Sequence, residues 1–149
     1  MSDDLATRLC AVKWESYNTA YGVAVDVPGQ LERLLLAPDE DALQAAHELW
    51  CGLCHQHAYA SNAAIPALPF LMDALATRSP VVQVEIMDII AGLAVCSLPS
   101  HPEGAQPWVQ TLRQILIGQR ELLAKHRDHP SEDMREWAEI VLESLEAGA

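Results

Sequence analysis

Between residues 47 and 57 the chain gathers soft donors: His47, Cys51, Cys54, His55 and His57. Cys51-Gly52-Leu53-Cys54-His55 spells C-x-x-C-H, the string used for covalent haem attachment. That attachment is made outside the cytoplasm and usually needs an axial Met or second His. The string sits inside an amphipathic helical pattern and no secretory leader is expected for this chain, so the match reads as chance. His47, Cys51 and His55 recur at i, i+4 and i+8, on one helix face. With Cys54 and His57 nearby, they offer the nitrogen and sulfur donors that suit zinc. A structural zinc site usually draws ligand pairs from two elements, and no second pair is evident. His47-Glu48-x-x-Cys51 lacks the second His of a metalloprotease helix. Cys54 with His57 is a conceivable nucleophile and base, but nothing marks either as activated. Core cysteines beside loop histidines are the better account. No Gly-rich phosphate loop and no G-x-S-x-G occurs. The expectation is therefore a protein that is not an enzyme, with no catalytic residue, metal ligand or cofactor assigned.

The other chemistry is electrostatic. Glu132, Glu136, Glu139, Glu143 and Glu146 recur at spacings of 4, 3, 4 and 3, a continuous acidic stripe on one helix face. Like charges at i and i+4 cost a few tenths of a kcal/mol per pair. Glu143 and Glu146 also sit at the unfavourable end of the helix dipole. A basic partner would offset that cost. Two other readings stand beside it: a solvated outer face, or internal pairing with Arg113, Arg120 and Arg127, which recur every seven residues just upstream. A second acidic group, Asp39, Glu40 and Asp41, reads most simply as charge at a helix N-terminus. It would also suit the rim of a binding surface.

Helices must position these residues, because helical periodicity runs along nearly the whole chain and strand signals are almost absent. A first helix is expected over roughly 3 to 20, with Leu5, Leu9, Val12, Trp14, Tyr17 and Tyr21 on its apolar side. Gly22 ends it, and Pro28 opens a short helix carrying Leu31, Leu34, Leu35 and Leu36. A third helix starts at Pro38-Asp39 and ends between Cys54 and His57. A fourth runs from about Ser61 to Thr77, and Pro69 should kink it or delay its start. Ser79-Pro80 signals a fifth by a hydroxyl cap and a first-turn proline. That fifth helix is apolar nearly all round and belongs in the middle of the stack. Residues 97 to 106 form a Pro, Ser and Gly loop, the best place for an internal break. A sixth helix begins near Pro107, with Leu122 inward, and a seventh near Ser131. The expected fold is all-α: one domain of about seven helices stacked as antiparallel hairpins, a short α-solenoid, with a plain bundle as the alternative.

The chain has 149 residues, half of them apolar, enough for one domain with a real core. Twenty-one acids face nine bases, a net charge of −12. Such a field repels nucleic acid and draws in a basic partner. Plain solubility is the simpler explanation of the charge. No apolar run reaches the roughly 18 residues of a membrane span. The start, MSDDLATRLCAVKWE, lacks a basic segment followed by an apolar one, so a cytoplasmic location with reduced cysteines is expected.

Several pieces together resemble the small bacterial HEAT-repeat-domain proteins. They are Trp14, Tyr21-Gly22, Asp26-Val27-Pro28, Leu49-Trp50, His55-Gln56, Tyr59-Ala60, and Ala64-Ile65-Pro66 to Pro69-Phe70-Leu71. The resemblance covers residues 14 to about 96. In one place the chain departs from it: where His-Gln-Gly is expected, it reads His55-Gln56-His57. Some members of that family sit beside secreted toxins, which implies an immunity role. The resemblance marks a fold and not a chemistry. Together with the −12 charge and the missing catalytic set, that role gives the expectation of an immunity protein that occludes a basic toxin, a nuclease being the natural target because nucleases display Lys and Arg to phosphates. The acidic groups Glu132, Glu136, Glu139, Glu143, Glu146, Asp39, Glu40 and Asp41 are the contact candidates. The alternatives are a regulatory scaffold without a toxin, and a metal or redox protein using Cys51, Cys54, His55 and His57.

Overall fold

In the computed structural model, which describes residues 2–147, the chain is all-α apart from one tiny hairpin. Eight α-helices are present among the described residues: α1 (Ser2–Cys10), α2 (Val27–Leu36), α3 (Asp39–Leu53), α4 (Ala64–Thr77), α5 (Pro80–Cys96), α6 (Pro107–Gly118), α7 (Arg120–Ala124) and α8 (Glu132–Glu146). The eighth arises because the expected sixth helix breaks at Gly118-Gln119 into α6 and α7. That break turns Leu122 outward, where half of it is exposed, against the inward expectation.

The N-terminal segment departs most from its periodicity. α1 stops at Cys10, and Trp14–Ser16 form a single 3-10 turn. Strands β1 (Asn18–Thr19) and β2 (Gly22–Val23) then pair antiparallel. Turn chemistry overrides the helical spacing here. The Thr19 hydroxyl accepts from Tyr21 N at 3.1 Å and donates to Gly22 O, while Gly22 takes φ +127, which a side chain would resist. Trp14 is buried, its indole donating to Leu9 O at 2.8 Å, whereas Tyr21 is 70% exposed. Arg8 ties α1 to α4, lying over the Phe70 ring and pairing with Asp73 at 2.8 Å.

The remaining helices follow their signals closely. α4 starts at Ala64 and not at Ser61, and it carries Pro69 inside it, past the first turn, where proline gives up one helical hydrogen bond. Ser79 precedes α5 but does not cap it. Its hydroxyl donates instead to Asp39 Oδ2 at 2.8 Å. Ser131 does cap α8, accepting from Met134 N.

α2 and α3 pack as a pair joined by two residues, as do α4 and α5. α2 also packs on α4, and α3 packs on α5, which packs in turn on α8. Arg78 fastens the two short connections together. It donates to Leu35 O and Ala37 O at the end of α2 and pairs with Asp39 at 3.2 Å. α5 is covered on most sides, with Val82, Ile86, Met87, Ile89, Ile90, Leu93 and Ala94 all at 0% exposure. Each such large apolar side chain contributes about 1.5–3 kcal/mol of burial. Nearly all the buried apolar residues from Leu5 to Leu145 form one continuous cluster that runs past the 97–106 loop. Among the described residues no helix is long and apolar enough to cross a membrane.

Candidate functional site

All five stripe glutamates, Glu132, Glu136, Glu139, Glu143 and Glu146, are exposed along α8. Only Glu139 forms an ion pair among the described residues, with Arg127 at 3.3 Å, and both side chains are half exposed. The two other arginines of the upstream row do not pair with the stripe. Arg120 is exposed and forms no ion pair among the described residues. Arg113 is buried at 8% exposure and donates to Ser144 O at 2.9 Å, Ala147 O at 2.6 Å and Ser97 Oγ at 3.4 Å. It satisfies the last carbonyls of α8, which helix geometry leaves unpaired. Arg135 lies within the glutamate face, but its guanidinium donates to the His129 and Pro130 carbonyls. A shallow groove runs along this face, lined by Glu132, Arg135, Glu136, Glu139, Ile140 and Glu143, with Ile140 37% exposed in it.

The second acidic group divides. Asp39 is held by Arg78 and Ser79, and Asp41 by Arg33 at 3.1 Å. Arg33 also grips Glu48 at 2.9 Å, and this hydrogen bond holds the Glu48 carboxyl below its ordinary range. Glu40 is exposed, with no ion pair among the described residues.

Between these groups α3, α4 and α5 contain no Lys or Arg at all. Glu85 on α5 therefore meets only like charge from Asp88 and from Asp133 at the start of α8, with His47 of α3 the one favourable neighbour. Burial first, and then those two carboxylates, push its carboxyl above the usual range. Glu85 and Asp133 thus bring further negative charge to the place where α5 packs on α8.

Just past the end of α3 lies the Cys–His segment. Cys54 and Cys96 are buried, and burial pushes their thiols up to about 12 and about 11. Neither is a ready thiolate near neutral pH. Among the described residues no three His, Cys, Asp or Glu side chains are grouped to hold a metal ion. The segment is instead a turn. His55, Gln56 and His57 all take positive φ, at 41, 56 and 71. His57 Nε2 donates to Asp88 Oδ1 at 2.7 Å and Asp88 O at 2.9 Å. Its ring stands edge-on to Trp50 at 6.3 Å and Trp137 at 5.5 Å. Tyr21, His55 and Tyr59 form a short aromatic row beside it, with centroids 6.1 and 4.8 Å apart.

Spacing along the chain misses Asp88, because it lies 31 residues from His57. The available signal is Gly92, an interior helix glycine with no turn to make. Compared with family models, curated proteins and solved structures, the chain matches none.

Proposed function

We propose that the chain is a protein-binding inhibitor of the HEAT-like immunity kind, which covers the basic active-site rim of a toxin with its acidic face. One observation carries the reading. Glu132, Glu136, Glu143 and Glu146 are exposed along one helix with no ion pair among the described residues, although three arginines lie just upstream and Arg135 turns its guanidinium to backbone carbonyls. A helix gains nothing for itself from such a row. A basic partner gains both attraction and faster encounter. Glu85 and Asp133 add negative charge where α5 packs on α8, and the Arg78–Asp39 clasp between successive hairpin turns supports the HEAT-like comparison. Nucleases present Lys and Arg to phosphate, so a nuclease domain is the natural target and steric occlusion the mechanism.

The test is co-purification from the native host with this protein as tagged bait, read by mass spectrometry. Stoichiometric recovery of one basic toxin domain is expected. Its association rate with the purified protein should fall on the order of tenfold or more as salt is raised. Neutralising the four glutamates to Gln should remove most of that dependence while leaving the fold intact. Recovery of housekeeping complexes would replace this reading with a regulatory scaffold.

A further inference from the structure

Three left-handed residues in a row are costly. A residue with a Cβ is crowded there against the following carbonyl, and glycine alone would adopt the φ of position 57 freely. The closed turn also leaves Trp50 Nε1 and His55 Nδ1 buried without a hydrogen-bond partner, a further cost for each. Something has to hold it shut. The backbone contributes Ala58 N to His55 O at 3.0 Å and Ser61 N to Leu53 O at 2.8 Å. His101 Nε2 donates to Ala58 O at 3.0 Å, and Cys96 Sγ contacts His57 O at 3.5 Å. The strongest single hold is the His57 ring on Asp88, seated where α5 carries Gly92 and so leaves room for it.

We propose that His57 is a protonation-dependent latch, which holds the α3–α4 turn closed against α5 and α8 and loosens when its ring loses its charge. The groups around it leave Asp88 as its one counter-charge. From α5 they are Asp88, Glu85 and Cys96; from α3, His47 and, just past its end, Cys54; from α8, Trp137, with Asp133 acting on Glu85. No Lys or Arg among the described residues pairs with Asp88. The Asp88 carboxylate raises the His57 pKa above its ordinary value, with partial burial opposing. The sign follows by linkage. A raised folded-state value means the charge-assisted hold is complete below the ordinary histidine value of about 6.5 and is lost as pH rises through the higher one. A neutral ring still donates one hydrogen bond, without charge assistance. The backbone strain and the two unpartnered ring nitrogens then favour opening, which gives Trp50 and His55 access to water. The latch does not depend on who the partner is.

The experiment is a histidine side-chain NMR titration of the whole chain, with the His57 signal assigned by its loss in His57→Gln. Amide exchange at Ala58 and Ser61, expressed as protection over the intrinsic rate at each pH, reads the turn. The expected His57 midpoint lies above about 6.5, and protection falls through that midpoint. The fall is tenfold for each unit by which the closed value exceeds the open one. Asp88→Asn should lower the midpoint and flatten the response. His57→Gly relieves the backbone and removes the ring, so its protection should be independent of pH. A wild-type midpoint at or below the ordinary value overturns the latch. So does protection that ignores pH, or that responds equally in Asp88→Asn.

Discussion

Gly92 faces His57 so closely that a Cβ added to it would stand 2.6 Å from the ring Cδ2 and 2.8 Å from Cys54 Sγ. Real Cβ atoms do not approach that near, so one side must move. Alanine is the better helix former by about 1 kcal/mol, yet Gly92→Ala should destabilise the protein by about 1–3 kcal/mol through overpacking. Urea unfolding measures it. In the double variant with His57→Gly the loss should shrink markedly, because the two sites share one contact. An unchanged or raised urea midpoint in Gly92→Ala alone would show that the ring does not sit there.

Arg113 gives a second expectation. Truncation to Met keeps the stem but leaves carbonyls of Ser144, Leu145 and Ala147 without their donor. A cost of about 1–3 kcal/mol follows. Hydrogen exchange should localise the loosening to the last turn of α8. Uniform loosening of the whole molecule would contradict the capping role.

Two carboxylates should respond to pH in opposite senses. The Glu48 carboxyl is lowered by Arg33, so its stabilisation is present above the ordinary glutamate value and is lost as pH falls through the lowered one. Glu48→Gln should cost about 0.5–1 kcal/mol at neutral pH and nothing in strong acid. Glu85 is raised, so its charged form weakens the fold once pH has climbed through the raised value. Glu85→Gln should therefore raise stability at neutral pH and leave it unchanged in acid. Denaturation midpoints measured across both ranges check the pair, and a stabilising Glu48→Gln at neutral pH would refute the Arg33 account.

Thiol labelling separates the cysteines. Cys10 is exposed and should react first with an alkylating reagent near neutral pH, followed by the half-buried Cys51. Cys54 and Cys96, buried and with thiols at about 12 and about 11, should react only after denaturation. Mass spectrometry of partially labelled protein reads the order. Early labelling of Cys54 would mean the turn above it is open.

The helices were legible where one physical term dominated. Continuous apolarity put α5 in the interior, and Ser131 announced α8. Competing terms produced the departures. The spacing of Trp14, Tyr17 and Tyr21 suits a helix, but Thr19 and Gly22 form a turn at once. Ser79 has the chemistry of a cap, yet a neighbouring hairpin offers its hydroxyl a carboxylate. A seven-residue spacing of Arg113, Arg120 and Arg127 suggested one stripe. The break after Gly118 rotates Arg127 away from Arg113, so one is buried and one meets Glu139. The exposure of the glutamate row followed from periodicity. The His57–Asp88 pairing did not, because no local rule connects residues so far apart in sequence.

The packing of α5 on α8 has a consequence for synthesis of the chain. Its other neighbours, α3 and α4, precede α5, whereas α8 follows it across the 97–106 loop and two further helices. During translation, therefore, one flank of this apolar helix stays wet until α8 emerges. That interval is when a growing chain is most exposed to aggregation and to capture by chaperones.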